Sequence, residues 1–181
     1  GCDGVIAVNN QAGGHRGNID TKELIESLKK ELSIPVISAG GIGTKESLQQ
    51  TLDYGADGAS IGSIFIASKE AGVSDTYKEA CVQYGARDII MTKKLSGTPC
   101  TVINTQFVQQ LGTEETWLEK VLNKNKTLKK WVKMLRYLKG INALTKAAHK
   151  ATYKTLWVAG PSIEHTKEIR SVQEIVKSLV T

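Results

Sequence analysis

Residues 35–42 read Pro35-Val36-Ile37-Ser38-Ala39-Gly40-Gly41-Ile42, an apolar run that ends in two glycines. A run of this length, bounded by proline and glycine, predicts a short buried strand followed by a tight turn. Similar runs lie on either side of it, at 5–8 and 59–61. Between them, leucines and isoleucines at helical spacing predict helices over 21–32 and 44–54. The alternation of strand and helix predicts an α/β fold with a parallel sheet.

Two of the three predicted strands follow turns that share the pattern Gly-x-Asp-Gly. Gly1-Cys2-Asp3-Gly4 precedes the first strand, and Gly55-Ala56-Asp57-Gly58 precedes the third. Such a helix-to-strand turn recurs where βα units follow one another along a chain. Asp20 or Thr21 is expected to cap the first helix.

Glycines also follow the second and third strands, as Gly40-Gly41 and as Gly62 beside Ser63. Backbone N–H groups and helix N-termini at such strand ends bind phosphate in α/β folds. A single Gly-Gly pair more often serves only as a tight turn. Two such loops in series favour a phosphate site.

His15 follows the first strand, within Gln11-Ala12-Gly13-Gly14-His15-Arg16-Gly17. The glycines would let a cofactor approach the backbone, while an imidazole can accept a proton near neutral pH. The alternative is a histidine that only makes hydrogen bonds in a polar loop. The glycine-rich loops nearby favour a catalytic base, whereas His149 and His165 lack such surroundings and are expected to be structural or at the surface.

Three stretches together resemble the nitronate monooxygenase family, formerly called 2-nitropropane dioxygenases. Residues 11–17 resemble its Ala-Gly-Gly-His motif, 35–42 its flavin-phosphate strand, and 55–67 its Gly-Ala-Asp and Met-Gly-Thr-Arg-Phe-Leu-Ala pattern. Asn9 stands where the family usually has glycine. The likeness covers about the first seventy residues and, more weakly, 157–175. It implies an α/β fold: the C-terminal part of a (β/α)₈ TIM barrel, about its last three strands, with a helical C-terminal subdomain.

The resemblance implies FMN as the cofactor and His15 as the base that takes the α-proton of a nitroalkane or orients its nitronate. The flavin would then pass electrons to dioxygen. The residues expected to contact FMN lie in the three loops and the strands before them, and they are Gly13, Gly14, Ser38, Gly40, Gly41, Ser60, Ile61, Gly62 and Ser63. No metal site is expected, because the three cysteines lack metal-ligand spacing and read as reduced thiols.

Three other functions stay open. A flavin-dependent enoyl-acyl-carrier-protein reductase shares the same loops but draws electrons from NAD(P)H. A non-redox barrel enzyme, such as an isomerase or synthase, would use the two phosphate loops alone. A non-enzymatic binding module would rest on the basic segment described next.

The formal net charge of +6 comes from one segment of the chain. Residues 120–154 contain eleven Lys or Arg and no Asp or Glu, while the remainder holds 13 basic and 18 acidic residues. The apolar residues of this segment keep one helical stripe, which favours a solvated helical subdomain over the barrel mouth rather than a nucleic-acid site. The expected organisation is 1–75 for the flavin-binding βα units, 76–112 for a connecting segment, 113–154 for the basic helical subdomain, and 155–181 for a return loop and C-terminal helix.

Within the later segments, the patterns predict a short helix after 76, a strand over 101–107, and a last helix over 163–179 with Pro161 at its entrance. No stretch approaches the eighteen or so apolar residues that a membrane span requires. We expect a soluble, cytoplasmic protein without a membrane or nucleic-acid partner, and leave homo-oligomer formation open. The sequence begins at Gly1 rather than Met, and the other barrel strands are expected upstream.

Overall fold

A computed structural model describes residues 1–92, 99–113 and 156–181. Three parallel strands, β1 (Val5–Val8), β2 (Val36–Ala39) and β3 (Gly58–Ser60), form one sheet in that order. The helices α1 (Thr21–Glu31) and α2 (Lys45–Asp53) connect them. The predicted α/β fold with a parallel sheet is therefore confirmed.

Both connecting helices begin where a polar side chain caps the first turn. Asp20 accepts a hydrogen bond from the N–H of Lys22 at 2.9 Å, so Asp20 rather than Thr21 caps α1. Thr44 precedes α2 and forms a capping box with Ser47. These caps satisfy N–H groups that have no partner inside the helix, and they fix where each strand-to-helix loop ends.

The two faces of the parallel sheet are buried to different degrees. The register places Ile6 beside Ile37, and Val8 beside Ala39, on one face. On that face Ile6 is 63% exposed and Val8 is 39% exposed, although both are apolar. The opposite face is buried, and it includes Ala7, Val36 and Ser38. Because successive side chains alternate across a strand, one face packs in the core while the other borders open space.

A separate antiparallel pair of strands follows, β4 (Ile89–Thr92) and β5 (Cys100–Ile103), after the helix α3 (Asp75–Gln83). The strand predicted over 101–107 is correct at its start and wrong at its end. Thr105 accepts a hydrogen bond from the N–H of Val108 at 3.3 Å and thereby begins α4 (Gln106–Leu111). The cap ends the strand early, and Phe107 is helical.

The last helix predicted over 163–179 is two elements. A 3₁₀ helix covers Pro161–His165, with the proline in its first turn as predicted, and α5 covers Val172–Val180. Between them, the backbone at Arg170 pairs with the loop at Lys69, whose N–H donates to the carbonyl of Arg170 at 2.8 Å. This pairing interrupts the helix. Ser171 then forms a capping box with Glu174 and starts α5.

The predicted basic subdomain over 113–154 lies, except for its first residue, outside the described residues. Within the described ranges, no helix is both long and apolar enough to cross a membrane. The same part of the chain holds no cluster of His, Cys, Asp and Glu that could bind a metal ion. All three cysteines are free thiols.

Candidate functional site

A cavity of about 440 Å³ opens at the carboxyl ends of the three parallel strands. This volume falls in the range of small-molecule and cofactor sites. The loops after β1, β2 and β3 all contribute to its wall, together with Val158 and Ser162 from the C-terminal segment. Ile6 and Val8, the exposed side chains of β1, form its apolar floor.

Most of the predicted site residues line this cavity. Those that do are Gly13, His15, Gly40, Gly41, Ser60, Ile61, Gly62 and Ser63. Gly14 belongs to the loop after β1, but it is buried and does not line the cavity. Ser38 is also outside the wall, because it lies on the buried face of β2. In the described part of the chain, its hydroxyl has no hydrogen-bond partner.

Asn9 joins the loop after β1 to the loop after β2. Its side chain is fully buried; the amide oxygen accepts from the N–H of Gln11 at 2.8 Å, and the amide nitrogen donates to the carbonyl of Gly40 at 3.1 Å. A buried amide that is satisfied on both atoms holds its neighbours in one geometry. Asn9, which stands where the family usually has glycine, thus links the loops after β1 and β2.

The glycines after β2 are required by their backbone and by their surroundings. Gly40 and Gly41 have φ values of +119° and +78°, which L-residues rarely adopt. A Cβ on Gly40 would lie 2.2 Å from the amide oxygen of Asn9 and 2.5 Å from the backbone nitrogen of Ala12. The second loop can therefore approach the first only because no side chain separates them.

The C-terminal segment closes onto the first and third loops. The N–H of Gly160 donates to the hydroxyl oxygen of Ser63 at 2.9 Å. A Cβ on Gly13 would lie 2.7 Å from that nitrogen, so the two glycines are in direct backbone contact. Ser63 keeps its own hydroxyl proton, which remains able to donate to a ligand oxygen.

Thr101 in β5 does not line the cavity but makes hydrogen bonds with Gly14. Its hydroxyl oxygen accepts from the N–H of Gly14 at 2.8 Å, and its own N–H donates to the carbonyl of Gly14, also at 2.8 Å. This contact was not predicted, because no local pattern connects two positions that lie 87 residues apart. The residue next to His15 is therefore fixed on the second sheet.

Tyr77 in α3 supports the part of the wall that Val158 forms. Its ring stacks on Trp157, with 5.6 Å between centroids and 9° between planes, and its hydroxyl donates to the carbonyl of Val158. Burial raises the pKa of the Tyr77 phenol above its ordinary value. The phenol therefore stays protonated and keeps donating throughout the neutral range.

Among the described residues, no Asp, Glu, Lys or Arg side chain lines the cavity, and His15 is its one ionisable group. Hydrogen bonds within the described ranges leave the N–H groups of Gly41 and Gly62 unused. Together with the Ser63 hydroxyl, these donors could hold an anionic group without a neighbouring carboxylate to repel it. The apolar floor on β1 could receive a flat, less polar ring.

Comparisons with known proteins find relatives that are named as oxidoreductases, a dehydrogenase and a nitronate monooxygenase. It is 35% identical over 111 residues to the (3aS,4S,5R,7aS)-5-hydroxy-7a-methyl-1-oxo-octahydro-1H-indene-4-carboxyl-CoA dehydrogenase of Rhodococcus jostii, covering 61% of this chain and 31% of that protein. It is 34% identical over 123 residues to a probable nitronate monooxygenase of Staphylococcus saprophyticus, covering 62% of this chain and 35% of the relative.

Among solved structures, FabK from Thermotoga maritima superimposes with a TM-score of 0.77 and 27% identity over 99% of this chain and 54% of that one. The matched regions thus cover about a third of these curated relatives and about half of FabK. The family model for nitronate monooxygenase matches residues 1–181. The resemblance found in the motifs is confirmed, and the chain belongs to the nitronate monooxygenase family.

Proposed function

We propose that the cavity binds FMN and that the protein uses it to oxidise alkyl nitronates or nitroalkanes with dioxygen. The observation that carries the proposal is the meeting of His15 and two glycine-rich loops around one cavity at the ends of three parallel strands. Ligands of α/β folds bind outside the carboxyl ends of strands, where these loops lie. Family membership supports the same chemistry.

The residues present fit the cofactor. The N–H groups of Gly41 and Gly62 and the hydroxyl of Ser63 would hold the phosphate. Gly62 has open space where a side chain would stand, since no atom lies within 4 Å of a Cβ built there. The apolar side chains of Ile6 and Val8, which also line the cavity, would contact the less polar part of the cofactor.

His15 would supply the acid–base step. It projects into the cavity wall from the loop after β1, and an imidazole nitrogen would take the proton from the α-carbon of a neutral nitroalkane. FMN, when bound, supplies the redox chemistry between the deprotonated substrate and dioxygen. A nitronate has already lost that proton, so it would need His15 only for orientation.

We infer that the three strands belong to a (β/α)₈ barrel and that the exposed face of β1 looks into its interior. In such barrels, interior side chains are packed in layers contributed by all the strands. The 63% exposure of Ile6 supports this inference, because the side chains of the other barrel strands would cover Ile6 in a closed barrel. The phosphate loops after β2 and β3 would then correspond to those after the seventh and eighth strands.

Replacing His15 by Ala tests the proposed role. Turnover of neutral nitroethane should fall by roughly 10² to 10⁴, the usual contribution of a general base, while ethyl nitronate should lose much less. Bound flavin, measured by its absorbance after gel filtration, should be retained. His165→Ala, at a histidine outside the cavity wall, is the matched control and should leave both rates unchanged. Equal rates for wild type and His15→Ala with both substrates would rule out His15 as the base.

A second candidate is FMN- and NAD(P)H-dependent reduction of an enoyl thioester. It is favoured by the Rhodococcus relative, which is as similar as the nitronate monooxygenase relative and is named as a carboxyl-CoA dehydrogenase. Anaerobic mixing separates the two. Bleaching of the bound flavin by NADH but not by propionate 3-nitronate would support the reductase and overturn the monooxygenase. A colourless protein that releases no flavin on denaturation would contradict both and favour a non-redox phosphate-binding enzyme.

A further inference from the structure

We propose that Thr101 is a positioning residue that sets the geometry of Gly14 and, through it, the orientation of His15. This role rests on the proposed function, in which His15 takes a proton from the substrate. Thr101 itself does not line the cavity. It would act on the reaction only through the loop that it holds.

Thr101 makes hydrogen bonds with both backbone polar groups of Gly14, its N–H and its carbonyl. The Thr101 hydroxyl oxygen accepts from the Gly14 N–H, and the Thr101 N–H donates to the Gly14 carbonyl, each at 2.8 Å. The hydroxyl proton is directed to the carbonyl of Ala12 at 3.3 Å, with the Gly14 carbonyl at 3.4 Å. One side chain and its backbone therefore fix both ends of the segment that leads into His15.

The hydroxyl is the part of this contact that the residue type decides. Any residue except proline would provide the N–H of position 101, but the acceptor for the Gly14 N–H is the Thr101 hydroxyl oxygen, which an apolar side chain would not supply. Gly14 has a φ of +77° and is buried, as is Thr101 at 3% exposure. Without the hydroxyl, the Gly14 N–H would be buried without an acceptor, which favours a change in the loop conformation.

Thr101 is a firm anchor because β5 is held along both edges. On one edge it pairs with β4, where Met91 is the partner of Thr101. On the other edge, Val102 bridges Val158, and the N–H of Ile103 donates to the carbonyl of Trp157 at 2.8 Å. The same strand thus holds the loop after β1 and the adjacent part of the cavity wall at Val158.

The experiment compares Thr101→Val, which removes the hydroxyl from a side chain of similar shape, with Thr101→Ser, which keeps it. Thr105→Val is the matched control, because it removes another buried hydroxyl that accepts from a backbone N–H, in the cap of α4. Four quantities are measured: hydrogen exchange of the Gly14 amide, the FMN dissociation constant by fluorescence quenching, the thermal midpoint, and the ratio of rates with nitroethane and ethyl nitronate.

Thr101→Val should speed exchange of the Gly14 amide at least tenfold and lower the nitroethane-to-nitronate rate ratio about tenfold, because only the neutral substrate needs a correctly placed base. Thr101→Ser should stay within about twofold of wild type in both readouts. Thr105→Val should lower the thermal midpoint without changing either the exchange or the ratio. A general loss of stability would lower both rates together and leave their ratio fixed.

The inference is overturned if Thr101→Val leaves Gly14 exchange at the wild-type rate, or if the rate ratio is unchanged while exchange accelerates. Should the Val variant fail to fold, Thr101→Ser decides, and a tenfold faster Gly14 exchange with its hydroxyl present would overturn the inference. If wild type binds no FMN, the proposed function fails on that result alone. Gly14 exchange in the three variants then still decides whether the Thr101 hydroxyl holds the loop.

Discussion

Gly40→Ala should be among the most destabilising single-methyl additions in this chain. The φ of Gly40 is +119°, so an alanine there is strained before it meets any neighbour. Its Cβ would also lie 2.2 Å from the Asn9 amide oxygen, 2.5 Å from the Ala12 nitrogen and 2.8 Å from the Ala12 Cα. Two of these three atoms belong to the backbone, and the third belongs to the Asn9 side chain, which two hydrogen bonds hold in place, so none can move freely.

The two costs can be separated with matched glycines. Backbone strain of this kind costs about 1–3 kcal/mol, and forcing a methyl group into a packed site costs about 1–3 kcal/mol more. Gly40→Ala should therefore lower the free energy of unfolding by roughly 2–6 kcal/mol, the sum of the two. Gly55 has a φ of +99° but only the Lys29 side chain near a built Cβ, at 3.9 Å, so Gly55→Ala reports the strain alone. Gly85 has neither constraint, and Gly85→Ala should stay within about 0.5 kcal/mol of wild type.

Urea unfolding followed by far-UV circular dichroism measures the series. The expected order of the unfolding free energy is Gly85→Ala above Gly55→Ala above Gly40→Ala, with unchanged dependence on urea concentration. If Gly40→Ala were no less stable than Gly55→Ala, the close approach between the first two loops would be refuted. The link through Asn9 would then lose its basis as well.

Two further predictions concern ionisable groups. The hydrogen bond from the Val36 N–H, and then Lys29, lowers the pKa of Asp57 in the folded state. The stabilising contribution of Asp57 is therefore present above its unfolded pKa of about 3.9, and it is lost as the pH falls through the lower pKa of the folded state. Asp57→Asn should make the thermal midpoint fall less steeply between pH 5 and 2. A fall as steep as in the wild type would contradict this. Burial raises the pKa of Cys81 to about 12 and also raises that of Cys100, whereas Cys2 is exposed. Iodoacetamide at pH 8 should therefore alkylate only Cys2 in the folded protein and all three thiols in urea, and mass spectrometry showing a second label on the folded protein would count against the packing.

The local parts of the fold were predictable because local chemistry decides them. Short apolar runs predicted the three parallel strands, and glycines mark the ends of the second and third. The starts of both connecting helices follow from the capping side chains of Asp20 and Thr44. The last helix was predicted wrongly because its pattern continues through 166–171, where pairing of Arg170 with Lys69 draws the backbone out of a helix. A contact between segments a hundred residues apart leaves no local periodicity to read.

The predicted site residues that follow strand ends lie around one cavity, and their role in binding and catalysis stays a prediction. Glycine loops and His15 come together because the carboxyl ends of parallel strands lie at one edge of the sheet. Ser38 was predicted to contact FMN because it lies within a family motif, but not every residue of that motif faces the cavity. Side chains alternate along β2, so Ser38 and Ala39 point to opposite faces, and only Ala39 reaches the cavity.

The uneven distribution of motifs along the chain has a physical cause. Recognisable family motifs cover about the first seventy residues, yet the family model spans 1–181. The later residues hold the site largely through backbone donors: the N–H of Thr101 on Gly14, of Ile103 on Trp157, and of Gly160 on Ser63. Every residue except proline carries such a donor, so these contacts constrain the course of the chain far more than the choice of side chain. The Thr101 hydroxyl is a side-chain acceptor and contacts the residue next to His15, so Thr101 is the position in the second sheet where a substitution should affect His15 most directly.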